Sequence, residues 1–190
     1  MHARPRLLAL FEEVGARASA LVREHPGWPC ARGCGACCRS LARVPELTRS
    51  EWELLEQTLR ALPGRERASC LERARALAQT QRGQAGDQRC ACPFFDAEGE
   101  LCRVYQGRPL ACRSYGFYAG RSHDAWCQLV AAHVEGARER LVLGNLDGVE
   151  ADLSRIDGER RSLLDWLGLS ASTPEVSAAT NDLSAKFEQV

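Results

Sequence analysis

The sequence has no net charge, little lysine and histidine, and no long apolar run. Its 25 basic and 25 acidic residues cancel, so no global field draws the chain to a polyanion, and a nucleic-acid partner is not expected. Lys186 is the one lysine; the arginine bias fits coding preference as readily as functional need, and no function is read from it. No stretch approaches the roughly 20 apolar residues that span a bilayer, so no membrane association is expected. The apolar run from Leu7 to Phe11 is too short, and too soon followed by Glu12 and Glu13, for a secretory signal. These absences together predict a cytoplasmic protein. No internal repeat sets the fold, and no Ser-His-Asp order, paired-carboxylate pocket or phosphate loop stands out.

Against this plain background stand ten cysteines in 190 residues. Hydrophobic residues at 45% and charged residues at 26% are ordinary for a folded chain, so disorder throughout is excluded. In a reducing compartment closely spaced cysteines are metal ligands or redox groups more often than disulfides, which suit an oxidising compartment.

The periodicity predicts a mainly α protein with short irregular strands. Leu7, Leu10, Phe11, Val14, Ala18, Leu21 and Val22 recur at helical spacing from Arg6 to Arg23, and His25-Pro26-Gly27 ends that helix. Thr48 with Glu51 makes a capping box for a second helix running to Pro63-Gly64. A third runs from about Arg65 to Arg82 with Leu71, Ala74, Leu77 and Ala78 inward, closed by Gly83 and Gly86. From Cys90 to Tyr118 the helical period is lost; Phe94-Phe95 and the segment Leu101 to Tyr105 read as a hairpin, and Pro109 opens a short helix carrying Cys112. Two more helices are expected, Trp126 to Leu143 and Val149 to Leu167, with Gly144 to Gly148 as a turn between them. Residues 1–168 are expected to form a single domain, with a cysteine-cluster module at about 28–127, and residues 169–190 a flexible tail.

Cys30, Cys34, Cys37 and Cys38 place four sulfurs within nine residues, so one loop can wrap an ion or a cluster. Gly33 and Gly35 are expected to permit the positive backbone dihedrals that bring neighbouring thiols and amides inward. Cys92, Cys102 and Cys112 recur every ten residues and Cys127 follows; a hairpin and a turn of that length can return each sulfur to the site begun upstream. Cys70, beside Leu71 in a helix, reads as core, and Cys90 is left open. His123 is either a ligand close to Cys127 or an exposed turn residue, and His133 is a packing residue. Arg108 and Arg113 flank Cys112, where they either offset thiolate charge or pair with an acid. Tyr105, Tyr115, Phe94 and Phe95 form either a wall around the site or simple core.

The combination resembles the YkgJ-type cysteine-cluster family, a zinc- or iron-chelating domain. Cys30, Cys34, Cys37 and Cys38 match its first pattern; Cys92-Pro93-Phe94, Cys102-Arg103-Val104-Tyr105 and Arg108-Pro109-Leu110-Ala111-Cys112-Arg113 match its later ones. The resemblance implies a metal site with Cys30, Cys34, Cys37, Cys38, Cys92, Cys102, Cys112 and Cys127 as candidate ligands. Relatives include enzymes that methylate flagellin lysines with S-adenosylmethionine, but no Gly-rich strand-to-helix turn for that nucleotide is present here. The spacing of Cys30, Cys34 and Cys37 equals that of radical S-adenosylmethionine enzymes, yet those place the motif after a first strand and this chain places it after a helix.

Eight thiols with few histidines allow either two four-thiolate zinc sites or one iron–sulfur cluster, such as 4Fe–4S, with spare thiols. Adjacent Cys37 and Cys38 do not easily face one tetrahedral ion, so one is expected to serve a second site or redox chemistry. The expectation carried forward is an iron–sulfur protein with a redox or accessory role. The alternatives are a zinc-organised protein whose surface binds a protein partner, and a lysine methylase-like enzyme.

Overall fold

The computed structural model describes residues 3–82, 89–121, 127–137 and 141–170. Helix α1 (Ala3–Glu24) buries Leu7, Leu10, Phe11, Val14 and Leu21, the stripe that its period predicts. A short helix, α2 (Ala36–Arg39), carries the adjacent cysteines. Strand β1 (Glu46–Thr48) leads into α3 (Arg49–Arg60), whose first turn is closed by the Thr48/Glu51 capping box. Helix α4 (Gly64–Arg82) buries Cys70, Ala74 and Ala78; Gly83 and Gly86 lie outside the described residues.

The cysteine-bearing middle consists of short pieces. Strands β2 (Phe95–Asp96) and β3 (Leu101–Cys102) pair antiparallel as the expected hairpin, and a 3-10 turn (Tyr105–Gly107) follows. Pro109 precedes α5 (Leu110–Ser114), which carries Cys112 as anticipated. Strand β4 (Tyr118–Ala119) then runs parallel to β5 (Gly144–Asn145).

Three expectations for the C-terminal half need correction. The helix expected from Trp126 to Leu143 is limited to α6 (Gln128–Gly136); at Ala137 the backbone is extended, and Leu141 and Leu143 pack beside Trp28 instead. Trp126 and residues 138–140 lie outside the described residues. Gly144 to Gly148 is not a bare turn: Gly144 N–H donates to Phe117 O (3.0 Å), and the Asn145 side chain caps α7 (Leu146–Ile156) by accepting from Gly148 N–H (3.1 Å). The helix expected to continue to Leu167 stops after Ile156. Asp157 turns its carboxylate to the Ser50 amide (2.8 Å) and hydroxyl (3.0 Å) at the start of α3. Arg160–Ser162 is then drawn out as β6 against β1, and α8 (Leu163–Trp166) restarts on a Ser162/Asp165 capping box. Backbone pairing to a strand far away in sequence overrides local helical period.

Two buried clusters flank the middle segment. One gathers Leu47, Trp52, Leu55, Leu59, Phe94 and Val104, with Trp52 stacked on Trp166 at 6.1 Å. The other joins the buried face of α1 to Leu110, Tyr118, Val149 and Leu153. A third, smaller cluster holds Leu21, Trp28 and Val130. No described helix is long and apolar enough to cross a membrane. The tail expected at residues 169–190 lies outside the described residues beyond Ser170.

Candidate metal centre

The first cysteine segment is fixed at its entrance by Trp28, whose buried indole N–H donates to Gly116 O at 3.0 Å. The chain then turns tightly, with Cys34 N–H on Ala31 O (3.0 Å) and Gly33 at φ +93°, a conformation that disfavours any side chain. Gly35 has an ordinary φ of −98°, so its role differs from that expected. A Cβ there would lie 2.4 Å from the Phe95 ring, and the absence of a side chain is what lets the hairpin close over the loop. On α2 the Cys37 and Cys38 sulfurs stand 4.0 Å apart.

The second segment is laced to the first by backbone. Leu41 and Cys90 exchange both amide hydrogen bonds (2.7 and 3.0 Å), and Cys92 N–H donates to Cys38 O at 2.7 Å. The hairpin pairs Phe95 with Cys102. Arg73 on α4 holds Pro93 O at 2.8 Å, and Arg103 bridges Glu66 (2.9 Å) and Asp96, so the loop is tied to the helix beneath it. Helix α5 is anchored by Glu51 Oε1, which accepts from Leu110 N–H at 2.7 Å. Cys127 sits at the N-cap of α6.

Cys30, Cys34, Cys37, Cys38, Cys92, Cys102 and Cys112 line one open cavity of about 510 Å³. Cys127 is absent from its lining but packs in the same small cluster as Cys30, near Trp28 and Val130. Folding therefore brings the two halves of the cysteine pattern together. Among the described residues no three His, Cys, Asp or Glu side chains converge on a point that could hold a metal ion. Cys70 is fully buried core, with the Arg73 guanidinium 3.4 Å from its sulfur; Cys90 contributes its backbone bridge and not the cavity wall.

The fold favours the protonated form of five site thiols, Cys30, Cys37, Cys92, Cys102 and Cys112. Burial, then the neighbouring sulfurs of Cys34, Cys37 and Cys127, push Cys30 from 9.0 up to about 12. Burial, then Cys102 and Cys37, push Cys112 up to about 12. The thiol of Cys37 is raised foremost by its hydrogen bond with Cys38, and those of Cys92 and Cys102 by burial. Arg108 opposes the rise at Cys30, Cys102 and Cys112. So many buried thiols do not ionise together without a cation among them.

Of the two roles open to Arg108 and Arg113, the first has the better support for Arg108. Its guanidinium lies 3.6 Å from the Tyr105 ring centre and donates to Tyr105 O (3.2 Å), while Arg113 donates to Arg108 O (2.7 Å) and lies over Phe11. Phe94, Phe95, Tyr105 and Tyr115 all line the cavity, the first two being buried. His133 packs edge-on to Trp28 at 5.1 Å, as a packing residue does. His123 lies outside the described residues. Sequence reasoning passed over Trp28 and Gly116, which meet across the site, and saw Glu51 only as a helix cap. Trp28 stands two residues before Cys30, and that adjacency was the one available signal.

The CxxCxxCC family, described as a "putative zinc- or iron-chelating domain", matches residues 29–131. The match takes in more than half of the chain and coincides with the stretch on which the resemblance rested. No curated protein and no solved structure matches.

Proposed function

The chain belongs to the CxxCxxCC family of zinc- or iron-chelating domains, and on that footing we propose that it holds an iron–sulfur cluster on thiolates from both cysteine segments and serves a redox or accessory role. The supporting observation is the gathering of thiols from both segments: seven of them line one cavity of about 510 Å³. A tetrahedral zinc site needs its sulfurs about 3.8 Å apart, from a Zn–S length of about 2.3 Å. A cluster is a larger body that takes its thiolates one per iron, so its cysteines stand farther apart.

The donor set fits such a group: thiols predominate, and half-buried arginine and aromatic side chains surround them. When bound, the cluster supplies one-electron chemistry at a potential set by its surroundings. The chain's own residues provide those surroundings. Phe94, Phe95, Tyr105 and Tyr115 limit water at the cavity wall, and the Arg108 charge offsets part of the thiolate charge.

One observation favours zinc as a second reading. The 4.0 Å between the Cys37 and Cys38 sulfurs is close to the edge of a zinc–thiolate tetrahedron. In that reading the metal replaces core, and the exposed surface receives a protein partner.

Purification without oxygen, followed by a visible spectrum and assays of iron, sulfide and zinc per chain, separates the two. Brown protein with iron and matching sulfide is the expected result. Colourless protein with stoichiometric zinc, from cells supplied with iron, would overturn the iron–sulfur reading.

A further inference from the structure

We propose that the α1 wall of the cavity binds a small organic carboxylate with an apolar body, its charge held by Arg23 and Arg32 and its body lying along α1 at Gly15. This site goes beyond the metal reading above and rests on it only for the charge that the thiols carry.

The charges lining the cavity do not balance. Arg23, Arg32, Arg108 and Arg113 face a single carboxylate, Glu100, and that one is already paired with Arg39 at 2.5 Å. Among the described residues none of the four arginines forms a salt bridge. Arg108 and Arg113 are half-buried, flank Cys112 and donate only to backbone carbonyls. A divalent ion on four thiolates carries about two negative charges, which these two arginines match. Arg23 and Arg32, both exposed, are left over. Arg32 lies over the Tyr105 ring at 5.1 Å, and Arg108 lies over the same ring at 3.6 Å. Two like charges thus gather on one ring with no carboxylate to offset them, an arrangement that an incoming anion stabilises. A guanidinium fork matches a carboxylate in geometry as well as charge.

The α1 wall says what the rest of the ligand is. Phe11, Gly15, Ala18 and Val22 recur at helical spacing along it and offer no metal ligand. Arg113 lies over Phe11 at 4.2 Å, so this apolar wall adjoins the charged one. Gly15 stands inside a 22-residue helix, where glycine is the poorest former after proline. Packing does not require it, since a Cβ there would meet nothing within 4 Å. What its missing side chain leaves is room. The whole cavity, about 510 Å³, has the volume of a small-molecule site, about 300–1,000 Å³. An inorganic anion would leave the apolar wall in water, whereas a carboxylate with a hydrocarbon body covers it.

The test is calorimetric titration of the anaerobically purified, metal-loaded protein with hexanoate and phenylpropionate, and with inorganic phosphate and hexanol as controls for charge alone and body alone. Saturable binding of at least one of the two carboxylates, more tightly than either control, is expected. The Arg23→Gln/Arg32→Gln double variant should weaken it by about tenfold or more, the loss of a charge-assisted hydrogen bond. Gly15→Leu, which fills the room while favouring the helix, should do the same with far-UV circular dichroism and metal content unchanged. Should Gly15→Leu disturb the metal, the arginine variant, made at exposed side chains, decides. The proposal is overturned if neither carboxylate binds, if phosphate binds more tightly than both, or if the arginine variant binds as wild type does, which would put the carboxylate elsewhere, such as on the metal. Metal and sulfide assays on the same samples keep the two proposals apart. Zinc without sulfide sinks the iron–sulfur reading and leaves this site intact, whereas a cluster-bearing protein that takes up neither carboxylate does the reverse.

Discussion

Glu51 Oε1 accepts the Leu110 amide at 2.7 Å while Oε2 accepts the Thr48 amide at 2.9 Å. One buried carboxylate thus closes the first turn of α3 and fixes the start of α5, two residues before Cys112. Burial raises its pKa despite these donors. Glu51→Ala strands two buried amides and is expected to cost about 2–4 kcal/mol in urea unfolding of the metal-loaded protein. Glu51→Gln keeps one acceptor and should lose about half as much. Equal stability of wild type and Glu51→Ala would refute the role given to this carboxylate.

Gly35 and Gly33 should respond differently to alanine. A Cβ at Gly35 meets the Phe95 ring at 2.4 Å, so the hairpin must move, at about 1–3 kcal/mol. Gly33 has open space around it and only its φ of +93° to oppose a side chain, so about 1 kcal/mol is expected. Metal content measured beside stability should fall for Gly35→Ala and hold for Gly33→Ala.

Cys70 separates core from site. Cys70→Ala should leave the metal content unchanged and cost about 1–2 kcal/mol, as removal of a small buried group does. Loss of metal in a folded Cys70→Ala protein would place Cys70 in the site.

The demetallated protein should lose stability as pH rises. Cys30 ionises near its ordinary 9.0 in the unfolded chain but near 12 in the fold. The unfolded state therefore releases protons first, and the contribution of this thiol, full below about pH 9, declines between about 9 and 12. Urea midpoints taken from pH 8 to 10.5 with a chelator present should fall, and fall less steeply in Cys30→Ser. Metal binding has the opposite slope below that range, because loading expels thiol protons: acidification should release the metal.

Much of this molecule is written in short-range pattern. The apolar stripe of α1, the Thr48/Glu51 box, Pro109 before α5 and the spacing of the cysteines each express geometry confined to a few residues, where neighbours in sequence are neighbours in space. The stretch from Val149 to Leu167 has helical period throughout and yet is broken. Arg160–Ser162 finds β1, and Asp157 finds Ser50, both distant in sequence. The positive φ expected at Gly35 is absent, and the glycine serves a contact that local pattern does not carry, since Phe95 approaches it only after the hairpin folds back.

The sequence by itself determined that this chain carries a thiol-rich metal-binding module framed by helices, because ligand type and close spacing are local properties of the chain. Only the tertiary structure decided that thiols of both segments line one cavity, that Trp28 meets Gly116 beside Cys30, and that Glu51 holds the helix of Cys112. Those relations depend on which distant backbone groups satisfy one another once buried, and no local spacing encodes them.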